Sequence, residues 1–129
     1  MFLCDTNIIS ELARPLPDQK VLAWAAGVSD IAISAITVEE IYYGLAWKPN
    51  PRIKAWFETF IDSRCSIFSV TAPISKLAGQ LRGQLQSQGK TRSQADMIIA
   101  ATAQFHALTL VTRNIRDFEG CNIMLLNPF

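Results

Sequence analysis

The chain has 129 residues, of which 50% are hydrophobic and 18% charged, and its formal net charge is +1. That is enough chain for one domain with its own core, and the composition excludes a disordered or collagen-like polypeptide. No apolar run approaches the roughly 18 residues that a membrane-spanning helix needs.

Phe2–Cys4 is a short apolar run predicted as the first strand, and Asp5-Thr6-Asn7 follows it. A carboxylate at the end of a central, buried strand costs free energy unless it meets a cation or caps a helix. Asp5 suits both roles, since a helix through Ile8-Ile9-Ser10-Glu11-Leu12 would take it as N-cap. Val21, Leu22, Trp24 and Ala25 suit a short helix, and Ile31–Ser34 reads as the second strand. Thr37-Val38-Glu39-Glu40 matches a capping box, with Thr37 at the N-cap and Glu40 at N3. Glu39 and Glu40 cannot point the same way, because successive helical residues are rotated by about 100°. Ile36 and Gly44, one turn to either side of Glu40, put it on a partly inward face.

Further along, Ile53, Trp56, Phe57, Phe60 and Ile61 form a stripe at helical spacing. Ile67–Val70 is the expected third strand. Ile74, Leu77, Ala78, Leu81 and Leu85 mark another amphipathic helix. Ser93-Gln94-Ala95-Asp96 has a capping-box outline with Asp in place of Glu, and it heads a stretch, 94–107, that is apolar nearly all round. A charge that close to a buried helix needs a partner. Thr109–Thr112 is the fourth predicted strand, Asp117 lies in the turn after it, and Ile123–Leu126 is the fifth. Pro15, Pro17, Pro49, Pro51 and Pro73 punctuate helix starts, and Pro128 sits in the tail.

Strands alternating with helices argue for an α/β fold with a parallel sheet, and several strands lack polar alternation, as expected when both faces are covered. Ligands in such sheets collect at the carboxyl ends of the strands. Asp5 and Thr112-Arg113-Asn114 fall there. If the fold gathers Asp5, Glu40, Asp96 and Asp117, they form an oxygen-rich pocket for Mg²⁺ or Mn²⁺, suited to metal-assisted attack on a phosphodiester.

Charge is unevenly spread. Residues 1–47 hold two bases and six acids, residues 48–129 ten bases and five acids. With the four candidate ligands set aside, the remainder is basic, which would suit a polyanion, although solvated helix faces give the same pattern. Cys4, Cys65 and Cys121 are scattered and His106 is the sole histidine, so a Cys/His zinc site is not expected; free buried thiols in a reducing compartment are. The start Met1-Phe2-Leu3-Cys4-Asp5 lacks the pattern of a secretory leader. The expected location is cytoplasmic.

Four segments in order resemble the PIN-domain ribonucleases, and within them the VapC-type toxins of bacterial toxin–antitoxin modules, including the FitB-like branch. They are Leu3-Cys4-Asp5-Thr6-Asn7 with the helix after it, Ser34 to Glu40 with Gly44, Ala95-Asp96-Met97-Ile98-Ile99-Ala100-Ala101, and Leu110 to Phe118. The closing Leu126-Asn127-Pro128-Phe129 is similar to the same branch. The resemblance implies one PIN domain over residues 1–129, with a three-layer α/β/α architecture and a central parallel sheet. It places Asp5, Glu40, Asp96 and Asp117 on the acidic quartet, with Asp5 and Asp96 holding Mg²⁺ or Mn²⁺ most directly. Thr6, Asn7, Thr112 and Asn114 match polar positions around the pocket. The implied reaction is hydrolysis of single-stranded RNA or an RNA loop, leaving 5′-phosphate and 3′-hydroxyl ends. Arg113 and Arg116 suit phosphate contacts, and ordinary surface arginines equally.

The resemblance further implies a homodimer, a cognate antitoxin, and a higher toxin–antitoxin complex that binds operator DNA through the antitoxin. Tyr42, Tyr43 and Trp47 suit antitoxin contacts; Trp56 and Phe57 suit core packing. Two other classes stay in view. A non-catalytic RNA- or protein-binding module would use the acids only as caps. An Asp-based phosphotransfer domain would want a second acid where Asn7 stands, or a lysine where Arg113 follows Thr112.

Overall fold

The computed structural model describes residues 1–129. In chain order it contains β1 (Phe2–Cys4), α1 (Thr6–Leu12), α2 (Gln19–Ala26), β2 (Ile31–Ser34), α3 (Ala35–Trp47), α4 (Pro51–Arg64), β3 (Cys65–Phe68), α5 (Ala72–Ser87), α6 (Gln94–Phe105), β4 (Thr109–Val111), a 3-10 turn (Ile115–Phe118) and β5 (Leu125–Leu126). The five strands form one sheet in the order β3-β2-β1-β4-β5, and every pairing is parallel.

Alternation along each strand sends neighbouring side chains into opposite cores. Leu3, Ala32 and Leu110 face α5 and α6, where Ile74, Leu81, Met97 and Ile99 close the layer. Cys4, Ile31, Ile33 and Val111 face the other side, against Ile8 and Ile9 of α1, Val21 of α2 and Phe57 of α4. Each fully buried side chain of this size contributes roughly 1.5–3 kcal/mol, so the sheet is stabilised from both faces. The result is a three-layer α/β/α arrangement. No helix is long and apolar enough to cross a membrane.

Side chains at strand ends and in loops start the helices. Asp5 caps α1 by accepting from the Thr6 amide, Ser34 caps α3 through the Ile36 amide, and Ser93 caps α6 through the Asp96 amide. Asn50 and Thr71 cap α4 and α5, each with a proline in the first turn. The expected capping box at Thr37–Glu40 is therefore incorrect. Helix α3 begins at Ala35, so Thr37 lies inside the first turn and Glu40 in the second. Ser34 takes the cap because it is the last residue of β2, where the chain turns.

Strand bounds differ where burial is partial. β3 spans Cys65–Phe68 rather than 67–70: it is an edge strand, and Ile67 is substantially exposed. β4 stops at Val111 and β5 covers only Leu125–Leu126. Helix α6 ends at Phe105, leaving His106 and Ala107 as its exposed terminus. Cys4 and Cys121 are buried free thiols as expected, but Cys65 is only half-buried.

Candidate active site

The strand order reverses direction at β1: β2 and β3 lie on one side, β4 and β5 on the other. A crevice opens at such a switch point, outside the carboxyl ends of the strands. Asp5 leaves β1 at this crevice and Thr112 leaves β4 beside it. The backbone joins them first, with the Asp5 amide donating to the Val111 carbonyl at 2.9 Å.

Three donors then fix the Asp5 carboxylate. Its Oδ1 accepts from the Thr6 amide at 2.7 Å, and its Oδ2 accepts from Thr112 Oγ1 at 2.9 Å and from Asn7 Nδ2 at 3.2 Å. The Thr112 hydroxyl is itself oriented, because it accepts from the Asn114 amide at 3.0 Å. Asn7 Oδ1 accepts from the Arg113 amide at 3.3 Å, which ties the start of α1 to the loop after β4. Thr6, Asn7, Thr112 and Asn114 thus form one hydrogen-bonded frame around Asp5.

Asp5 and Asp96 line the same recess, with Thr6, Asn7, Arg113 and Asn114 around it and no apolar side chain in its walls. Burial pushes the Asp5 carboxyl up to about 6; the Thr112 hydroxyl and Thr6 amide hold it lower, while the charges of Asp96 and Glu40 add to the rise. Asp96 is also raised, first by burial and then by Asp117 and Glu40, against the lowering effects of the Ser93 hydroxyl and Arg92. Asp5 thus feels the charges of Asp96 and Glu40, and Asp96 those of Asp117 and Glu40, although the four do not touch one point. Glu40 is half-buried, with its Oε1 accepting from Thr6 Oγ1 at 2.7 Å, and it lines an adjoining recess. Glu39 is exposed, as its rotation about the helix requires. Asp117 sits on the exposed 3-10 turn and lines neither recess.

No three Asp, Glu, His or Cys side chains are gathered closely enough to enclose an ion. The donor set fits a cation of one kind: a small hard ion that keeps several waters and takes one or two carboxylates. A cation in the recess would also offset the burial and the neighbouring acidic charge that raise Asp5 and Asp96. The lining residues therefore suit a hydrated divalent cation, for which Asp5 and Asp96 are the carboxylates of this recess.

Four residues of this neighbourhood were not legible beforehand. Ser10, Glu11 and Arg14 line the recess, and helical spacing from Asn7 is the signal that would have found them. Glu11 is occupied structurally: it accepts from the Asp18 amide at 2.9 Å and pairs with Arg14 at 3.2 Å. Arg92 is the fourth. Its Nη2 lies 3.4 and 3.5 Å from the carbonyls of Arg116 and Glu119, on either side of Asp117, and its Nε is buried without a partner. Backbone carbonyls leave no side-chain signature, so nothing in the sequence announced this clamp.

The arginines expected at RNA differ in place. Arg113 lines the recess with its guanidinium 4.6 Å from the Phe129 ring centroid; Arg116 is exposed beside Asp117. Among the aromatics, Tyr43 and Trp47 are well exposed and tilt together at 6.3 Å, with Lys48 Nζ 4.8 Å from the Trp47 ring. Tyr42 is partly exposed and packs edge-on against buried Phe57. Trp56 is half-buried and, with Leu12, Leu22 and Phe60, lines an apolar groove of about 350 Å³ between α1, α2 and α4. Asn7 donates to Asp5 where a phosphotransfer site would want a second acid, which removes that reading's main requirement.

Residues 2–120 match the family described as PIN domain. The chain is 35% identical over 137 aligned positions to Toxin FitB of Neisseria gonorrhoeae, covering 100% of this chain and 99% of the relative. It is 33% identical to VapC ribonuclease Y4jK of Sinorhizobium fredii, covering 100% and 98%. Among solved structures, VapBC2 from Rickettsia felis bound to a DNA fragment from their promoter superposes with a TM-score of 0.82 at 29% identity, covering 98% of this chain and 97% of that one.

Proposed function

The chain belongs to the PIN-domain family, and from that premise we propose that it is the ribonuclease toxin of a toxin–antitoxin pair. The single PIN domain spans residues 1–129. The observation that carries the reading is the recess lined by both Asp5 and Asp96, with no apolar side chain in its walls, at the switch point of a parallel sheet. Both carboxylates are raised, chiefly by burial, and capping α1 accounts for only one of the two, so a divalent cation joining them would offset a cost that the fold otherwise carries.

When bound, Mg²⁺ or Mn²⁺ supplies a more acidic water and charge stabilisation at the phosphoryl oxygens. Asp5 and Asp96 hold the ion. Thr112 and Asn7 both donate to Oδ2 of Asp5 and fix the orientation of its carboxylate. Glu40, anchored by Thr6, and Asp117 complete the acidic surround. Arg113 sits where a phosphate entering the recess would meet it, and Arg116 extends the basic rim towards the rest of the RNA.

The partner is a cognate antitoxin, and the assembled pair binds its own operator DNA, as the promoter-bound complex of the Rickettsia felis relatives supports. Exposed Tyr43 and Trp47, with partly exposed Tyr42, are the proposed antitoxin contacts. The toxin itself is proposed to be a cytoplasmic homodimer.

The test is cleavage of RNA by the purified protein. Activity should appear with Mg²⁺ or Mn²⁺, disappear with EDTA, and be lost in Asp5→Ala and Asp96→Ala. Full activity in both variants would sink the metal-nuclease reading. Expression should arrest growth, and Asp5→Ala should relieve the arrest.

A further inference from the structure

The carboxylate recess suits phosphate and cations, but with no apolar wall it offers a nucleobase nothing to pack against. A second recess of about 370 Å³ opens directly from it, because Thr6 and Ser10 line both. Ile41 and Leu45 of α3 and Ile53 of α4 give this second recess apolar walls. Its far end carries polar groups. Lys48 forms no ion pair, and Asn50 uses only its Oδ1, accepting from the Ile53 amide, so its NH₂ has no protein acceptor. Glu40 stands at the entrance, joined to the first recess through the Thr6 hydroxyl.

Gly44 lies between these walls, in the interior of α3. Glycine is the poorest helix former after proline. Here neither conformation nor packing calls for it: the backbone is not in the positive-φ region, and an added Cβ would meet no atom within 4 Å. What the missing side chain preserves is open volume in the second recess. Gly79 and Gly83 of α5 also have free space around a built Cβ, but they lie on an exposed face and border no recess described here.

We propose that the second recess is a subsite for a nucleotide flanking the scissile phosphate of single-stranded RNA. The base packs on Ile41, Leu45 and Ile53 above Gly44, and the neighbouring phosphate lies towards Lys48. The assignment rests on the ribonuclease reading and adds to it the place where the chain would be gripped beside the cut.

The experiment uses the full chain and three readouts: thermal unfolding, polarisation binding of a fluorescein-labelled oligouridylate in EDTA, and steady-state cleavage with Mn²⁺. Gly44→Ala should raise Tm by about 3 °C, and Gly79→Ala and Gly83→Ala should do the same. Only the Gly44 variants should lose RNA binding, roughly threefold for Gly44→Ala and about tenfold or more for Gly44→Leu, with KM rising and kcat nearly unchanged. Lys48→Ala should flatten the log–log salt dependence of binding by about 0.7. A folded Gly44→Leu that binds and cleaves like the wild type overturns the subsite. So does a Gly44→Leu that loses the antitoxin while RNA binding stays intact, which would assign the recess to protein. A wild type that binds the oligonucleotide but never cuts RNA overturns the nuclease reading and with it the placement beside a scissile phosphate, whereas loss of that binding in Gly44→Leu would still assign the recess to a nucleotide.

Discussion

Asp5 and Asp117 are both among the four acids that the family resemblance singles out, but the fold holds them in opposite ways. Asp5 leaves the central strand, is buried, and is gripped by donors from α1 and from the end of β4. Asp117 rides an exposed 3-10 turn, and the neighbouring backbone is held by the long contacts of Arg92. A carboxylate fixed at a sheet end is preorganised, with its desolvation already incurred on folding. One on a surface turn keeps its water and its freedom. The difference implies unequal shares in any chemistry at the crevice.

The largest expected effect is on turnover. Asp5→Asn should lose several kcal/mol of transition-state stabilisation, about three orders of magnitude in kcat, whereas Asp117→Asn should lose roughly tenfold. Equal losses in single-turnover cleavage would break the contrast.

Next comes the cost of burying Asp5. Its carboxyl is near 6 in the folded protein and near 3.8 when unperturbed. The folded state therefore holds the proton more tightly, so stability falls as pH rises through this window and the whole penalty is present above it. The penalty is about 3 kcal/mol in metal-free protein. Urea unfolding in EDTA should show Asp5→Asn gaining on the wild type between about pH 4 and 6, with Mn²⁺ cancelling the gain. A pH-independent difference would mean that Asp5 is not destabilised by burial.

Third, Thr112→Val removes the donor that orients Asp5 and should weaken Mn²⁺ binding by about 10–100-fold in calorimetry. Unchanged affinity would show that the frame around Asp5 does not tune the ligand. Smallest is Arg92→Ala, expected to cost about 1 kcal/mol overall and to speed amide exchange mainly in residues 115–119. If exchange there is unchanged, Arg92 does not position Asp117.

Much of the fold was legible because its signals are local. β1 and β2 are uninterrupted apolar runs, buried on both faces, and their bounds match the prediction. Edge strand β3 was misplaced by two residues because partial exposure blurs its apolar signal. At the start of α3, Ser34 and Thr37 both had suitable cap chemistry. Only the turn of the chain out of β2 selected Ser34, and that choice moved Glu40 from a first-turn cap to a second-turn residue held by Thr6.

The sequence by itself determined the order of strands and helices and the two-sided burial of the sheet, because periodicity and side-chain chemistry are properties of short segments; the four candidate acids were singled out by the resemblance of their segments, in order, to a known family. Only the tertiary structure decided which acids share a recess. That depends on β4 crossing over to pair with β1, which brings Thr112 onto Asp5 and sets Asp96 beside it, while Glu40 takes the neighbouring recess and Asp117 the rim. Contacts between distant segments follow from the parallel register of the sheet, and no local pattern encodes them.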